Sequence, residues 1–86
     1  METADAKVQV RILFFGATAD LVGVRELLHT ADSQSTTAEA LAEMTQKFPR
    51  LRLHKLLFAL NQQYATGSEV ICDGDELAMF SAVSGG

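Results

Sequence analysis

One segment of the sequence carries a complete set of helix signals, between Thr36 and Pro49. Thr36 and Glu39 have the spacing of a capping box, in which a hydroxyl and a carboxylate satisfy each other's backbone N–H groups. The predicted helix has one stripe of side chains that recur every three or four residues: Thr37, Leu41, Met44 and Phe48. Because Pro49 cannot donate the next backbone hydrogen bond, the helix must stop near Phe48. The stripe needs another apolar surface to cover it.

The residues before this helix predict two strands. Side chains of residues 8–15 alternate with a period of two, which places on one face Val8, Val10, Ile12 and Phe14. Residues 17–23 interrupt the alternation and are predicted as a short helical turn that Gly23 closes. Residues 24–30 are predicted as the second strand, although part of this segment also suits a helix.

The residues after the helix predict further strands joined by turns. Residues 50–55 are polar and are expected to form a connector or loose turn. The continuous apolar run of residues 56–60 suits a buried strand, and a loop or short edge strand is expected around Tyr64. Gly74 lies between two aspartates, where it can adopt a positive φ in a turn.

The last predicted strand covers residues 76–80 and alternates again. Leu77 and Met79 share one face, and Ala78 and Phe80 share the other. The order of elements therefore predicts an α+β fold, in which one main helix packs on one face of a mixed sheet.

Length and composition limit what this chain can be. Its 86 residues make one domain, residues 1–86, with 48% hydrophobic and 21% charged residues. A net charge of -4 without a long basic run argues against nucleic acid as a partner.

The single Cys72 cannot form an intramolecular disulfide, and His29 and His54 have no third ligand nearby that would predict a metal site. No signal peptide or membrane-spanning run is recognisable, so a cytoplasmic protein is expected.

The residues after Phe80 carry no large side chain and end in Gly85-Gly86. Because glycine has no Cβ atom, this backbone can pass through a channel too narrow for other residues. The carboxylate of Gly86 is then the only reactive group at the tip. Activation as an acyl-adenylate makes it an electrophile, and attack by sulfur leaves a thiocarboxylate. The alternative is a frayed tail that ends in two glycines by chance.

A second candidate feature is an apolar face of the sheet. If the helix covers the face that carries Val10, then Leu13 and Phe15 point the other way, and alternation puts Phe80 on their side. An exposed cluster with aromatic rings suggests a partner protein. The alternative is that residues 17–23 fold back over these side chains.

Taken together, these motifs resemble the small subunit of molybdopterin synthase, the MoaD-like branch of the ubiquitin-like sulfur carriers, to which ThiS-like proteins also belong. The matching stretches cover nearly the whole chain from Val8 onward and are, in family order, residues 12–16, 20–23, 59–62, 73–78 and 83–86. The resemblance implies a β-grasp fold with a flexible C-terminal tail, residues 81–86. It also implies a defined role in molybdenum cofactor biosynthesis.

In that role, an E1-like activating enzyme uses ATP to adenylate the terminal glycine, here Gly86, and sulfur transfer then gives the thiocarboxylate. The carrier itself is expected to bind no cofactor. The tail inserts into a MoaE-like large subunit, where the sulfur is delivered to cyclic pyranopterin monophosphate. The family's usual assembly is a heterotetramer. Its catalytic side chains belong mainly to the large subunit, so Gly85 and Gly86 are the only catalytic-site residues expected here.

The resemblance also implies which residues contact the partner. Phe15 and Phe80 match positions that pack on the large subunit, and Leu13, Val83 and Ser84 are expected to join them. The chain departs from the family where a Pro-Pro pair usually precedes the tail, since Ser81-Ala82 stands there. It departs again where many members have an Arg-Glu pair, since Ala19-Asp20 stands there.

Other functions remain open from the sequence. A sulfur carrier for the thiazole of thiamin would share Gly-Gly and the Asn-Gln-Gln of residues 61–63, but such carriers are usually shorter and lack the Phe14-Phe15 stretch. A ubiquitin-like modifier would be attached to lysines of other proteins. An interaction domain with an inert tail would be unaffected by loss of Gly86.

Overall fold

The computed structural model describes residues 6–81, so the predictions that concern Val83, Ser84, Gly85 and Gly86 fall outside the described residues. The elements in chain order are β1 (Lys7–Phe14), α1 (Ala17–Val22), β2 (Glu26–Asp32), α2 (Thr37–Lys47), a 3-10 helix (Pro49–Leu53), β3 (Leu56–Leu60), β4 (Gln63–Tyr64) and β5 (Glu76–Ser81). Each strand that the sequence predicts is present, and β2 begins two residues later than expected.

All five strands form one mixed sheet in the order β2-β1-β5-β3-β4. β1 and β5 run parallel to each other, and the other neighbouring strands are antiparallel. The register pairs Ile12 with Leu77 and Phe14 with Met79, so the inward side chains of the two central strands lie side by side. The predicted α+β architecture is confirmed, and it is the β-grasp arrangement that the resemblance implied.

Helix α2 begins and ends where the sequence predicts. The Thr36 hydroxyl accepts from the backbone N–H of Glu39 at 3.3 Å, and the Glu39 carboxylate accepts from the backbone N–H of Thr36 at 2.9 Å. Phe48 ends the helix before Pro49. Its ring meets that of Phe14 edge to face, with the centroids 6.1 Å apart, which fixes the end of α2 against the end of β1.

The core lies between α2 and the face of the sheet that α2 covers. Its most buried members come from β1, β5, α2, the 3-10 helix and the segment before β5: Val10, Ile12, Leu77, Met79, Met44, Leu51 and Ile71. Burying each such side chain contributes about 1.5–3 kcal/mol. This packing holds the two central strands, and with them the end of β5, in one fixed position.

Two expectations about the segment after α2 were wrong. Residues 50–55 are not a loose polar connector, because Pro49–Leu53 form a 3-10 helix whose Leu51 is fully buried in the core. β3 is not a buried strand, because Leu57 is 36% exposed and only Ala59 falls in the buried class. The sheet has helices on one face alone, so alternate residues of β3 point away from the core.

The start of β5 is tied to the turn between β3 and β4. Asn61 and Gln62 have positive φ angles of 51° and 72°, which closes the chain sharply after β3. The Asn61 side chain donates to the Asp75 carboxylate and accepts from the backbone N–H of Glu76, both at 3.0 Å. These contacts fix where β5 begins.

Candidate functional site

The predicted outer face exists and is formed by the side chains that point away from α2. We call outer face the set Leu13, Leu57, Ala59, Tyr64, Ala78 and Phe80. Leu13 pairs with Ala78, and Phe80 pairs with Leu57, and directly paired residues point to the same side of a sheet. The alternation read from the sequence therefore placed Leu13 and Phe80 correctly.

Tyr64 belongs to this face although the sequence gave no reason to include it. It lies on β4 at the sheet edge and is 74% exposed. Its ring centroid lies 5.9 Å from that of Phe80 in a tilted arrangement. Tyr64 thus supports the Phe80 ring from one side. A pairing between β3 and β4 brings the two rings together, and that pairing has no local sequence signal.

Phe15 extends the outer face beyond the end of β1. Its backbone N–H donates to the carbonyl of Met79 at 3.0 Å, so the pairing of β1 with β5 continues through this residue. Its side chain is 51% exposed. An aromatic ring this exposed, next to other apolar side chains, is the kind of surface that a partner protein covers.

Helix α1 does not provide that cover. Its apolar side chains Ala19, Leu21 and Val22 pack against the core cluster. The Thr18 hydroxyl is fully buried and lies within hydrogen-bond distance of two carbonyls, that of Phe15 at 2.6 Å and that of Met79 at 3.0 Å. The alternative in which residues 17–23 shield Phe15 is therefore wrong.

Thr18 also determines the position of the last strand. Its contact with the Met79 carbonyl links α1 to β5 two residues before Ser81, where the described part of β5 ends. Ser81 in turn pairs with Leu56 at the start of β3. The base of the predicted tail is thus held from two sides. Sequence reasoning missed Thr18, because nothing in the sequence distinguishes a buried threonine in a short helix from an exposed one.

An open cleft of about 560 Å³ lies beside Phe15. It is lined by the turn between β1 and α1, by α1 itself and by the start of β2, with Asp20, Arg25 and Glu26 as its charged members. No group of three or more His, Cys, Asp or Glu side chains within residues 6–81 is arranged to hold a metal ion.

Toward β2, the same side of the sheet carries charged side chains together with the exposed Leu28, which pairs with Arg11. Arg11 forms ion pairs with Glu26 at 3.3 Å and with Glu76 at 3.8 Å. These side chains are exposed enough for solvent to screen the pairs, so they contribute little to stability. No helix in the described part of the chain has the length and apolarity needed to cross a membrane.

The range of residues that matches a known protein family includes both the outer face and the C-terminal residues. Residues 12–86 match the ThiS family. The chain belongs to the ThiS family. This membership confirms the resemblance that the motifs indicated, and the matched range contains Leu13, Phe15, Phe80 and the Gly85-Gly86 end.

Known proteins are similar to this chain over most of both sequences. A curated relative from Arabidopsis thaliana, named molybdopterin synthase sulfur carrier subunit, is 36% identical over 94% of this chain and 86% of its own. A putative molybdopterin converting factor, subunit 1, from Pyrococcus furiosus has the same fold, with a TM-score of 0.82 at 20% identity over 88% of this chain and 99% of its own. The structure of SAMP1 from Haloferax volcanii gives a TM-score of 0.79 at 27% identity, over 91% and 99%.

Proposed function

We propose that this ThiS-family protein is the sulfur carrier subunit of molybdopterin synthase and acts in molybdenum cofactor biosynthesis. One observation carries the proposal, namely the full-length similarity to curated proteins of that name from plants, bacteria and animals. The same relatives favour this pathway over the thiazole of thiamin.

The proposed chemistry takes place at the carboxylate of Gly86. An E1-like activating enzyme joins this carboxylate to AMP from ATP and releases pyrophosphate. A sulfide-level sulfur from the sulfur donor then attacks the carbonyl carbon of the acyl-adenylate and expels AMP, which leaves a thiocarboxylate. The large subunit uses that sulfur to convert cyclic pyranopterin monophosphate. The carrier contributes the reactive terminus and Gly85, and it needs no cofactor of its own for these steps.

The described residues support the part of this role that requires binding to the large subunit. Phe15 is half-exposed, and Phe80 is held in place by Tyr64, so both rings are presented in fixed positions on the outer face. We assign Leu13, Phe15 and Phe80 to the contact with a MoaE-like large subunit. Val83 and Ser84 lie within the tail and would contact the large subunit at the entrance of the pocket that receives it. The assembly we propose is a cytoplasmic heterotetramer of two small and two large subunits.

Reconstitution of the synthase tests the proposal. The thiocarboxylated protein is mixed with the large subunit of the same organism and cyclic pyranopterin monophosphate, and the molybdopterin formed is measured. We expect stoichiometric product with the complete chain and none after deletion of Gly86. Val70→Ala, a change at an exposed position away from the outer face, is the matched control and should remain active. Product from the chain that lacks Gly86 would contradict the role of the terminus.

A second candidate is a ubiquitin-like protein modifier, because the structure of a small archaeal modifier protein from Haloferax volcanii is also similar to this chain. Both functions begin with adenylation of the same glycine. They differ in the acceptor, which is a pterin in one case and a lysine side chain in the other. Trypsin cuts this chain for the last time after Lys55, so digested cell protein with lysines that carry residues 56–86 as a branch would establish the modifier function.

A further inference from the structure

Positive charge is concentrated in one short segment of the chain. Residues 47–55 carry four of the seven basic residues and no acidic residue. The other 77 residues therefore carry three basic and all 11 acidic residues. This segment joins the end of α2 to the start of β3 through the 3-10 helix.

The basic segment lies where the tail begins. Lys55 directly precedes Leu56, which pairs with Ser81 at the end of β5. Arg25 lies at the same end of the sheet, since its carbonyl accepts from the backbone N–H of Phe14, the last residue of β1. We call basic end the five exposed cations at this end of the molecule: Arg25, Lys47, Arg50, Arg52 and Lys55.

The two basic residues outside the basic end, Lys7 and Arg11, both form ion pairs. Lys7 pairs with Asp32, and Arg11 pairs with Glu26 and Glu76. Within residues 6–81, no carboxylate lies at salt-bridge distance from a cation of the basic end. The Nζ atom of Lys47 lies 6.0 Å from the centroid of the Phe48 ring.

Helix electrostatics account for only part of this arrangement. Lys47 lies in the last turn of α2, where a cation interacts favourably with the helix dipole. Arg52 and Lys55 lie beyond that helix, and between them Leu53 is 74% exposed. The basic end therefore combines one exposed apolar side chain with cations that no carboxylate among the described residues neutralises.

The basic end is also continuous with the outer face. His54 is already extended, with φ -126° and ψ 152°, so the alternation of β3 continues back to Lys55. Lys55 therefore lies on the side of Leu57, the outer-face neighbour of Phe80. A partner that covers Phe80 would reach Lys55 as well.

The length of the tail decides what these cations can contact. Five residues follow Ser81, and an extended segment of that length spans at most about 17 Å. If the tail enters a partner's pocket in an extended form, a phosphate bound near Gly86 is too far from the basic end. The cations are left facing the protein surface around the entrance of that pocket.

We infer that the basic end docks on acidic side chains of the molybdopterin synthase large subunit, around the entrance of the pocket that receives the tail. This inference rests on the proposed function and adds the charge of the partner's surface to it. Opposite charges on two surfaces accelerate association and orient the encounter more than they tighten the final complex. The basic end would thus guide the tail toward the entrance.

Association kinetics with the large subunit of the same organism test the inference. We compare Arg52→Gln/Lys55→Gln with the control Lys7→Gln/Gln34→Glu, which lowers the net charge equally at the opposite end of the sheet. The first variant should lower the association rate constant about three- to tenfold at about 0.05 M salt, and the control should leave it unchanged. The difference should vanish at about 0.5 M salt, where charges are screened beyond a few ångströms.

The other outcomes separate the two proposals. If the unsubstituted protein does not bind the large subunit, both the proposed function and this inference fall. If it binds but the two double variants behave alike at low salt, only the inference falls. An effect of Arg52→Gln/Lys55→Gln on adenylation by the activating enzyme, with none on the large subunit, would also overturn it and assign the basic end to that enzyme.

Discussion

The Thr18 hydroxyl lies 3.0 Å from the carbonyl oxygen of Met79 and joins a short helix to the last strand of the sheet. This hydroxyl is fully buried, and β5 leads within two residues to Ser81. The strand that presents the tail is therefore fixed by a polar contact inside the core. A buried polar group of this kind is costly to leave without its partner.

Replacement of Thr18 by valine keeps the shape of the side chain and removes the hydroxyl. We expect the free energy of unfolding to fall by about 0.5–1.5 kcal/mol, because one buried hydrogen bond is lost while the carbonyls of Phe15 and Met79 each keep a backbone N–H donor. Urea titration measures this change. The control is Thr45→Val, whose hydroxyl also donates to a backbone carbonyl, that of Ala42, but in an exposed position. Equal decreases in the free energy of unfolding of the two variants would show that the buried hydrogen bond stabilises the fold no more than the exposed one.

Replacement of Phe80 by alanine should weaken binding to the large subunit by about 2 kcal/mol, or about thirtyfold in Kd, as central aromatic anchors do. Isothermal titration measures the effect. Because Phe80 is half-buried, Phe15→Ala is the companion variant, since its more exposed ring can be removed with less effect on the fold. Val70→Ala should bind normally. Unchanged affinity in both phenylalanine variants would remove the outer face from the interface.

Replacement of Asn61 by alanine should lower the free energy of unfolding more than replacement of Gln62. Both residues have a positive φ, so alanine meets similar backbone strain at either position. Asn61 alone uses its side chain to bond Asp75 and Glu76. The difference between the variants should be about 1–2 kcal/mol in chemical denaturation. No difference would mean that these bonds do not hold the start of β5.

Glu69 locks the loop before β5 onto the start of α2. Its carboxylate accepts from the backbone N–H groups of Thr66 and Gly67 and from the hydroxyl of Thr37. The bond from the Thr66 backbone, followed by that from the Thr37 hydroxyl, lowers the pKa of Glu69 to about 2 from its ordinary 4.5. A lowered pKa stabilises the fold fully above pH 4.5, and that stabilisation is lost as the pH falls from 4.5 to about 2.

The free energy of unfolding of Glu69→Gln, measured as a function of pH, tests this dependence of stability on the protonation of Glu69. The variant should be less stable than the unsubstituted protein at pH 7, and the two should converge as the pH falls through this window. Asp20→Asn is the control, since Asp20 accepts no hydrogen bond among the described residues. Its stability should follow the pH dependence of the unsubstituted protein. Parallel curves for Glu69→Gln and the unsubstituted protein would contradict the assigned contacts.

The sequence predicts best what depends on neighbours along the chain. The capping box of Thr36 and Glu39 and the stop at Pro49 are local, so the bounds of α2 follow directly from them. The same holds for the outer face, because strict alternation places Leu13 and Phe80 on one side without knowledge of strand order. The register of β1 with β5 then makes them part of one surface.

The features that the sequence did not predict depend on contacts between distant segments. Leu51 is buried because the 3-10 helix packs against α2 and α1. Its neighbours in the sequence are polar, so the local pattern does not predict that burial. Leu57 is exposed because no element within residues 6–81 covers its side of the sheet, although its apolar run suggests burial. Thr18 acquires its role only when β5 lies beside α1, and Tyr64 only when β4 pairs with β3 and brings its ring to Phe80.

The central claim is that Gly86 carries sulfur, and the accurate mass of the C-terminal peptide tests it most directly. The protein is incubated with its activating enzyme, ATP and a sulfur source. Thiol-selective alkylation is added, because exchange of oxygen for sulfur has nearly the mass of methionine oxidation. We predict a thiocarboxylate on Gly86 that is absent without ATP. An unmodified Gly86, with an activating enzyme that is competent on another carrier, would contradict the account.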